Sequence, residues 1–586
     1  MLSRVSALPP SPAIVSQSAV RPLARAVLWA LSLVYVCAGF IGRHPWKNED
    51  MAAYGYMQAL AQGQSSWLQP ELLGQGLGHA SQHLSVWLGA LALLLRPDWL
   101  APTLAVRLPF MGLMLASLAA VWYATYHLAR RPEAQPVPFA FGGEAEPVAY
   151  ARAIADGSVL ALVASLGLMQ FSHETTATVV QLGGASLLFL ALALPEARRP
   201  LACSLAALAC AALLLSGGAY WLAPVLLATL LLAWQLRGSA ARLALPLPLL
   251  GALALLAVLS AAAQAVWHST AWPLTWPGLD GAQWLRFVRL LIWFGWPAWP
   301  LACWALYRWR RHWLRARPSL HLALPLLWLL LTLALAACAQ GSARDRTLFL
   351  SLPMAATLAA FALPTMRRAL SSLIDWFTLL FFTACGVAIW VIWTATQTGL
   401  PAKPAANVAK LAPEYVPQFS ALAFGLAALS TAIWLAVIAW RTGRHRSALW
   451  KSLVLPAGGA TWCLTLVMTL WLPMLDYGRS YQPQIDKLAA HIPQDAPCLW
   501  AYELGTPQLA AFWAQAGWPL RQRGANGPAA QAPADAQACP LSLVGAHASE
   551  ATQAALQRAG WRLQARIERP TSDEAVLLFA APLARP

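Results

Sequence analysis

The chain has 586 residues, of which 59% are hydrophobic and only 11% are charged, and its mean hydropathy is +0.54. A soluble globular protein carries about 25% charged residues, so a water-soluble enzyme is excluded. The net charge of +17 suggests nucleic acid at first sight. Most of it, however, lies in short loops between apolar runs, where it reports membrane topology.

Residues 1–21 are polar, carry no cleavable signal pattern, and are expected to form a cytoplasmic tail. Apolar runs of about 20 residues then recur, each long enough to cross a hydrocarbon core of about 30 Å. Hydropathy predicts a polytopic α-helical domain over 22–475 with about thirteen spans. They fall near 22–43, 102–128, 153–172, 175–195, 201–217, 219–236, 243–263, 285–307, 319–340, 347–364, 370–394, 419–440 and 450–472. The first outer loop, 44–101, is long and polar. Within it, the amphipathic 83–95 segment and Asp98 predict a helix lying along the interface.

Loop charge sets the orientation. With the N-terminus in the cytoplasm, every inner loop is basic, and the inner segments hold about twice the Arg and Lys of the outer ones. An odd number of spans then places residues 476–586 outside. There the charge content becomes ordinary, and helix-like stretches (Gln484–His491, Gln508–Ala516, Glu550–Ala559) alternate with strand-like ones (Cys498–Tyr502, Leu541–Val544, Ala575–Phe579). That alternation predicts a small α/β domain, with a Gly/Pro/Ala-rich loop at Gly524–Ala538. Seven of the nine cysteines lie in or beside apolar runs and read as packing residues. The other two, Cys498 and Cys539, are candidates for a disulfide in an oxidising compartment.

Charged residues at membrane depth are costly and mark candidate sites. On the outer side they are few. Glu49 and Asp50 follow the first span, and Tyr54 stands four residues after Asp50 on the same helical face. A carboxylate there suits an acceptor hydroxyl, although a helix N-cap accounts for it equally. His79 and His83 lie in the same loop. His173-Glu174 joins the third and fourth spans and offers possible ligands for a divalent metal, but no spaced metal cluster accompanies it. Asp280 precedes Arg286 and Arg289, which lie one turn apart. Arg344 and Arg346 stand at the mouth of an apolar span, the depth of a lipid phosphate that guanidinium groups bind bidentately. Snorkelling to headgroups accounts for Arg286 and Arg289 equally well. No phosphate-cradling glycine motif and no nucleophile elbow is present.

Three short segments resemble the membrane-embedded glycosyltransferases of the GT-C class, in particular the bacterial branch of the aminoarabinose lipid A transferase and the protein O-mannosyltransferase relatives. Trp46-x-x-x-Asp50-x-x-x-Tyr54 resembles that family's acidic motif after the first span, and Trp67-x-x-Pro70 its following turn. Arg346 to Pro353, RTLFLSLP, resembles its R-Y-x-L-P-x-x-P segment. The chain departs from the family at Met51, where Asp-Glu is usual, and at Ala80-Ser81-Gln82-His83, which replaces K-P-P and its phosphate-contacting lysine. Glu174 stands where an Asp is common.

The resemblance implies transfer of a sugar from a polyprenyl-phosphate carrier to a lipid A, glycan or protein acceptor. The reaction would take place at the outer face of a bacterial inner membrane, with inversion at the anomeric carbon and without nucleotide or nucleic acid. It implies Asp50 as the catalytic carboxylate and Arg346, with Arg344, as the holder of the donor phosphate. Glu49, Tyr54, His83, Glu174, Arg286 and Arg289 are supporting candidates. A divalent metal is compatible with this reading, and membrane lipids surround the site. A lipid-linked glycan transporter would need polar residues in mid-span, where 201–215 and 243–262 are nearly all apolar. A non-catalytic membrane scaffold is the other alternative.

Overall fold

A computed structural model of the chain describes residues 10–77, 82–236, 243–267, 281–315, 318–443, 448–522, 539–547 and 550–581. Among them, eight helices are long and apolar enough to cross a membrane, or nine if one bent pair forms a single span. The chain is therefore a polytopic helical membrane protein.

Its first apolar helix, α1 (Arg25–Phe40), is shorter than the 22–43 run because Pro22 precedes it and Gly42 takes a left-handed turn, φ 81°, just after it. The polar loop then folds as helix α2 (Glu49–Ala61), an antiparallel hairpin of β1 (Glu71–Leu72) and β2 (Gln75–Gly76), and helix α3 (His83–Leu94). Membrane-length helices α4 (Pro102–Ala129) and α5 (Pro147–Ala164) follow. The shorter apolar helix α6 (Ala177–Ala193) comes next. Glu196–Leu214, Leu320–Cys338, α7 (Gly341–Thr365), Arg368–Thr398, Ala421–Thr442 and Leu449–Leu470 fall on the remaining long runs. Ala219–Gln235 and Leu247–Ala263 occupy two more expected positions as shorter apolar helices.

One expected span is different. Instead of one rod over 285–307, Gly281–Phe294 and Ala298–Arg308 meet at 90°. Pro297 stands at the break, where a missing N–H and a bulky ring cannot continue a helix.

The C-terminal region forms a five-stranded sheet in the order β4-β3-β5-β7-β6. Its strands are β3 (Leu499–Tyr502), β4 (Leu520–Gln522), β5 (Leu541–Gly545), β6 (Arg562–Glu568) and β7 (Ala575–Ala580). The central strands β3, β5 and β7 lie on the three expected stretches. The two strands without a sequence signal, β4 and β6, are the edges. Edge strands are characteristically short or charged, which blurs their alternation; β6 is mostly exposed and carries Arg562, Arg566 and Glu568, and β4 has three residues. Cys498 and Cys539 pair as a disulfide just before the neighbouring strands β3 and β5, with Cα atoms 4.9 Å apart. The Gly524–Ala538 loop lies outside the described residues.

This region packs on the first polar loop. Gly55 of α2 touches the Ala510 backbone so closely that an added Cβ would meet Ala510 Cβ at 2.5 Å. Thr506 Oγ1 donates to Gln75 Oε1 at 2.8 Å. Close packing of apolar surface at this seam helps to join the C-terminal sheet to the helix that carries Asp50.

Candidate active site

The site begins where α1 ends. Arg43 is 6% exposed and its guanidinium is almost fully engaged. Nε donates to Gly39 O at 3.1 Å, Nη1 to His44 O at 3.2 Å, and Nη2 to the carbonyl of His173. Arg107 of α4, 2% exposed, donates to the carbonyls of Phe40 and Arg43 at 3.0 and 2.7 Å. The terminal carbonyls of α1 have no helical partner of their own, and these two cations satisfy those of Gly39 and Phe40.

Asp50, in the first turn of α2, completes this cluster. It is 4% exposed, and both oxygens are held. Oδ2 accepts from Arg43 Nη1 at 2.8 Å and from Trp46 N at 3.2 Å. Oδ1 accepts from the N–H and the hydroxyl of Thr175 at 2.9 and 2.8 Å. Burial pushes its carboxyl up, but the charges of Arg43 and Arg107 and the Thr175 N–H outweigh that and hold it down at about 2. Asp50 is thus an ionised, fully bonded anchor.

The segment His173–Thr176, between α5 and α6, joins this anchor to the arginine predicted from α7. His173 offers its carbonyl to Arg43 and Thr175 its donors to Asp50. Between them, Glu174 Oε2 accepts from Arg346 Nη1 at 3.0 Å. The same nitrogen donates to Thr178 Oγ1 at 2.6 Å, and the guanidinium lies 5.0 Å over the Phe171 ring. Arg346 Nε is buried with no hydrogen-bond partner among the described residues, a donor without an acceptor. Glu174 keeps 24% of its side chain exposed. Its carboxyl is raised above the ordinary carboxylate value, first by burial and then by Asp50, against the opposing pull of Arg346. Two carboxylates a residue's reach apart are therefore pushed in opposite directions by their surroundings, the pattern that separates acid–base roles.

Trp46 closes the group toward the C-terminal region. Its ring lies between the guanidinium groups of Arg43 and Arg479, at 4.5 and 5.0 Å. Trp46 Nε1 donates to Asp476 at 3.0 Å, and His44 forms an ion pair with the same carboxylate.

Of the residues singled out in the sequence, the fold brings together Asp50, Glu174 and Arg346. His173 joins the same group through its carbonyl to Arg43, Glu49 is near enough to Glu174 for its charge to help raise that carboxyl, and the rest make their contacts elsewhere. Tyr54 is buried and accepts from Gln58 Nε2 at 2.7 Å. Glu49 is exposed at the start of α2. His83 opens α3 and packs its ring 5.8 Å from that of Trp87. Arg344 turns away, donating to Ala339 O at 3.1 Å with its guanidinium 5.6 Å over the Phe287 ring. Arg286 and Arg289 are exposed on the Gly281–Phe294 helix. His79 and Asp280 lie outside the described residues. His173 uses both ring nitrogens, on Ser172 Oγ and Tyr35 O at 3.0 Å each. It is therefore not open to share a metal with Glu174, and among the described residues no three His, Cys, Asp or Glu side chains gather.

Sequence reasoning passed over Arg43, Arg107, Thr175 and Thr178. Arg43 and Arg107 were counted as topology charges, yet both abut span ends, where a buried cation is expensive unless paired. That position was the available signal. The two threonines carried none.

The fold is a polytopic helical bundle with a polar loop after the first helix and a C-terminal sheet packed on that loop. It is similar along nearly its whole length to solved structures of ArnT, the aminoarabinose lipid A transferase, from Cupriavidus metallidurans. The structure bound to undecaprenyl phosphate has a TM-score of 0.60 at 17% identity, covering 96% of this chain and 99% of that one. The apo structure has a TM-score of 0.56 at 16% identity, covering 96% and 98%. No family model and no curated protein matches the chain.

Proposed function

We propose that this protein transfers a sugar from a polyprenyl-phosphate carrier to an envelope acceptor hydroxyl at the outer face of a bacterial inner membrane. The observation that carries the proposal is the His173–Thr176 segment, which sets Arg346 beside Glu174 and Glu174 beside the Asp50–Arg43 anchor. The solved ArnT complex contains undecaprenyl phosphate, and a phosphate of that class suits Arg346. A guanidinium with its Nε–H unpaired among the described residues and a carboxylate as its present partner can exchange that carboxylate for the singly charged phosphodiester of the donor.

The exchange has a chemical consequence. When Arg346 turns to the donor phosphate, Glu174 loses the charge that lowers its pKa and becomes the stronger base. The acceptor oxygen then attacks the anomeric carbon, its proton passes to Glu174, and the carbon–oxygen bond to the phosphate breaks. Polyprenyl phosphate leaves against Arg346, where negative charge grows in the transition state. One displacement inverts the anomeric centre. Asp50 holds the loop on which Glu174 sits; its low pKa makes it a weak base and a strong anchor. The basic loops favour an N-terminus in the cytoplasm, and a Cys498–Cys539 bridge favours an oxidising outer compartment.

The test is transfer by reconstituted protein from a pool of radiolabelled polyprenyl-phosphate sugars to native envelope acceptors. Glu174→Gln is expected to lose about 10²–10⁴-fold in rate with folding intact. Wild-type activity should rise with pH as Glu174 ionises above its ordinary 4.5, and that acid limb should vanish in the variant. Transfer that survives in Glu174→Gln but not in Asp50→Asn returns the base to Asp50. No transfer by folded wild type with any donor would leave a non-catalytic membrane scaffold.

A further inference from the structure

A second charged feature lies at the other end of the bundle. Arg25 opens α1 fifteen residues before Phe40, which places it about 22 Å along the helix, at 1.5 Å per residue, from the end that meets the Asp50 cluster. There the start of α1, with α4 and α5, lines a groove of about 460 Å³, within the range of about 300–1,000 Å³ typical of ligand sites. Its walls are mostly apolar.

Three charges surround it. Asp156 of α5 is 5% exposed and accepts from Leu23 N at 3.2 Å and Trp122 Nε1 at 2.8 Å. Each oxygen thus accepts one bond and has capacity for another, and Asp156 lines the groove. Arg25 and Arg152 line the same groove and are exposed. Among the described residues, no hydrogen bond or ion pair links either guanidinium to Asp156. A carboxylate and two cations around one space, not collapsed on each other, match a ligand that carries both signs. Aromatic faces add to the cationic half: Trp122, Trp29 and Tyr123 all line the groove, the last two 56% and 51% exposed.

We propose that this groove binds a zwitterionic aminophospholipid. Its phosphate bridges Arg25 and Arg152, its ammonium meets Asp156 and the aromatic faces, and its acyl chains run along the apolar surfaces of α1 and α4. A purely anionic headgroup would set its charge against buried Asp156 and is disfavoured. The site is independent of the transfer reaction and lies at the opposite membrane surface.

The experiment is native mass spectrometry of the full-length protein in detergent, titrated with phosphatidylethanolamine or phosphatidylglycerol of matched chains. Wild type should retain phosphatidylethanolamine at least about fivefold better, roughly 1 kcal/mol. Asp156→Asn should abolish the preference, and the paired exposed variant Arg25→Gln/Arg152→Gln should lower retention of both lipids about tenfold. The paired variant alters only exposed side chains, so it keeps the test decisive if Asp156→Asn misfolds. Equal retention of the two lipids by wild type, or unchanged retention in the paired variant, would overturn the proposal. So would binding of soluble phosphoethanolamine without binding of the lipid, which would make the groove a site for a free phosphate compound.

Discussion

Asp50→Asn is the most informative single change, because it separates an anchor from a base. The substitution keeps the shape of the side chain and its contact with Thr175, and leaves Arg43 buried against an amide. Displacement of the carboxyl from 3.8 to about 2 corresponds to about 2.5 kcal/mol at neutral pH. Mutational removal of one partner from a buried ion pair costs about 3–5 kcal/mol, because the surviving charge is left unpaired. A loss of about 3 kcal/mol is expected. The folded pKa is depressed, so this stabilisation is present above the ordinary value of 3.8 and is lost as pH falls toward 2.

The assay is SDS-induced unfolding in mixed micelles followed by tryptophan fluorescence. It is run on Asp50→Asn, Arg43→Gln and the double variant, with transfer activity measured alongside. The double variant should be less destabilised than the sum of the singles by about 1–3 kcal/mol, the signature of coupled neighbours. Additivity within about 0.5 kcal/mol, or an Asp50→Asn protein as stable as wild type, would refute the ion-pair reasoning. Loss of activity without loss of stability would make Asp50 a participant in the chemistry instead.

Other substitutions probe the remaining contacts. Arg346→Lys keeps the charge but loses the planar fork; apparent KM for the polyprenyl-phosphate donor should rise at least about tenfold, and an unchanged value would remove Arg346 from the phosphate site. Cys498→Ser should destabilise the C-terminal sheet by about 3–4 kcal/mol on the chain-entropy account, read as faster proteolysis within 476–586 while the helical part resists. The His44 imidazole is raised above its ordinary 6.5, first by its hydrogen bond to Asp476. The stabilisation this gives the junction between the first loop and the C-terminal region is therefore complete below 6.5 and fades as pH rises through the raised value. Protection from hydrogen exchange over residues 43–48, taken relative to the intrinsic base-catalysed rate, should fall across that window in wild type and stay constant across it in Asp476→Asn.

Much of this architecture is legible in one dimension. A hydrocarbon core admits only helices long and apolar enough to satisfy their own backbones, so composition and run length determine the helical class and place most spans within a few residues. Alternating short elements likewise reveal the C-terminal sheet, apart from its polar edges. Asp50, Glu174 and Arg346 stand out because charge beside a span is costly and rarely idle.

What the sequence does not contain is their relation. Asp50 and Thr175 are 125 positions apart and Glu174 and Arg346 are 172 apart, and no local pattern encodes such distances. The tertiary structure alone decided that Asp50 is locked by Arg43 and Thr175 while Glu174 stays partly open. A carboxylate's role follows from the charges, donors and solvent around it rather than from its neighbours in the chain. Here those surroundings are assembled by packing α1, α2, α6 and α7 together.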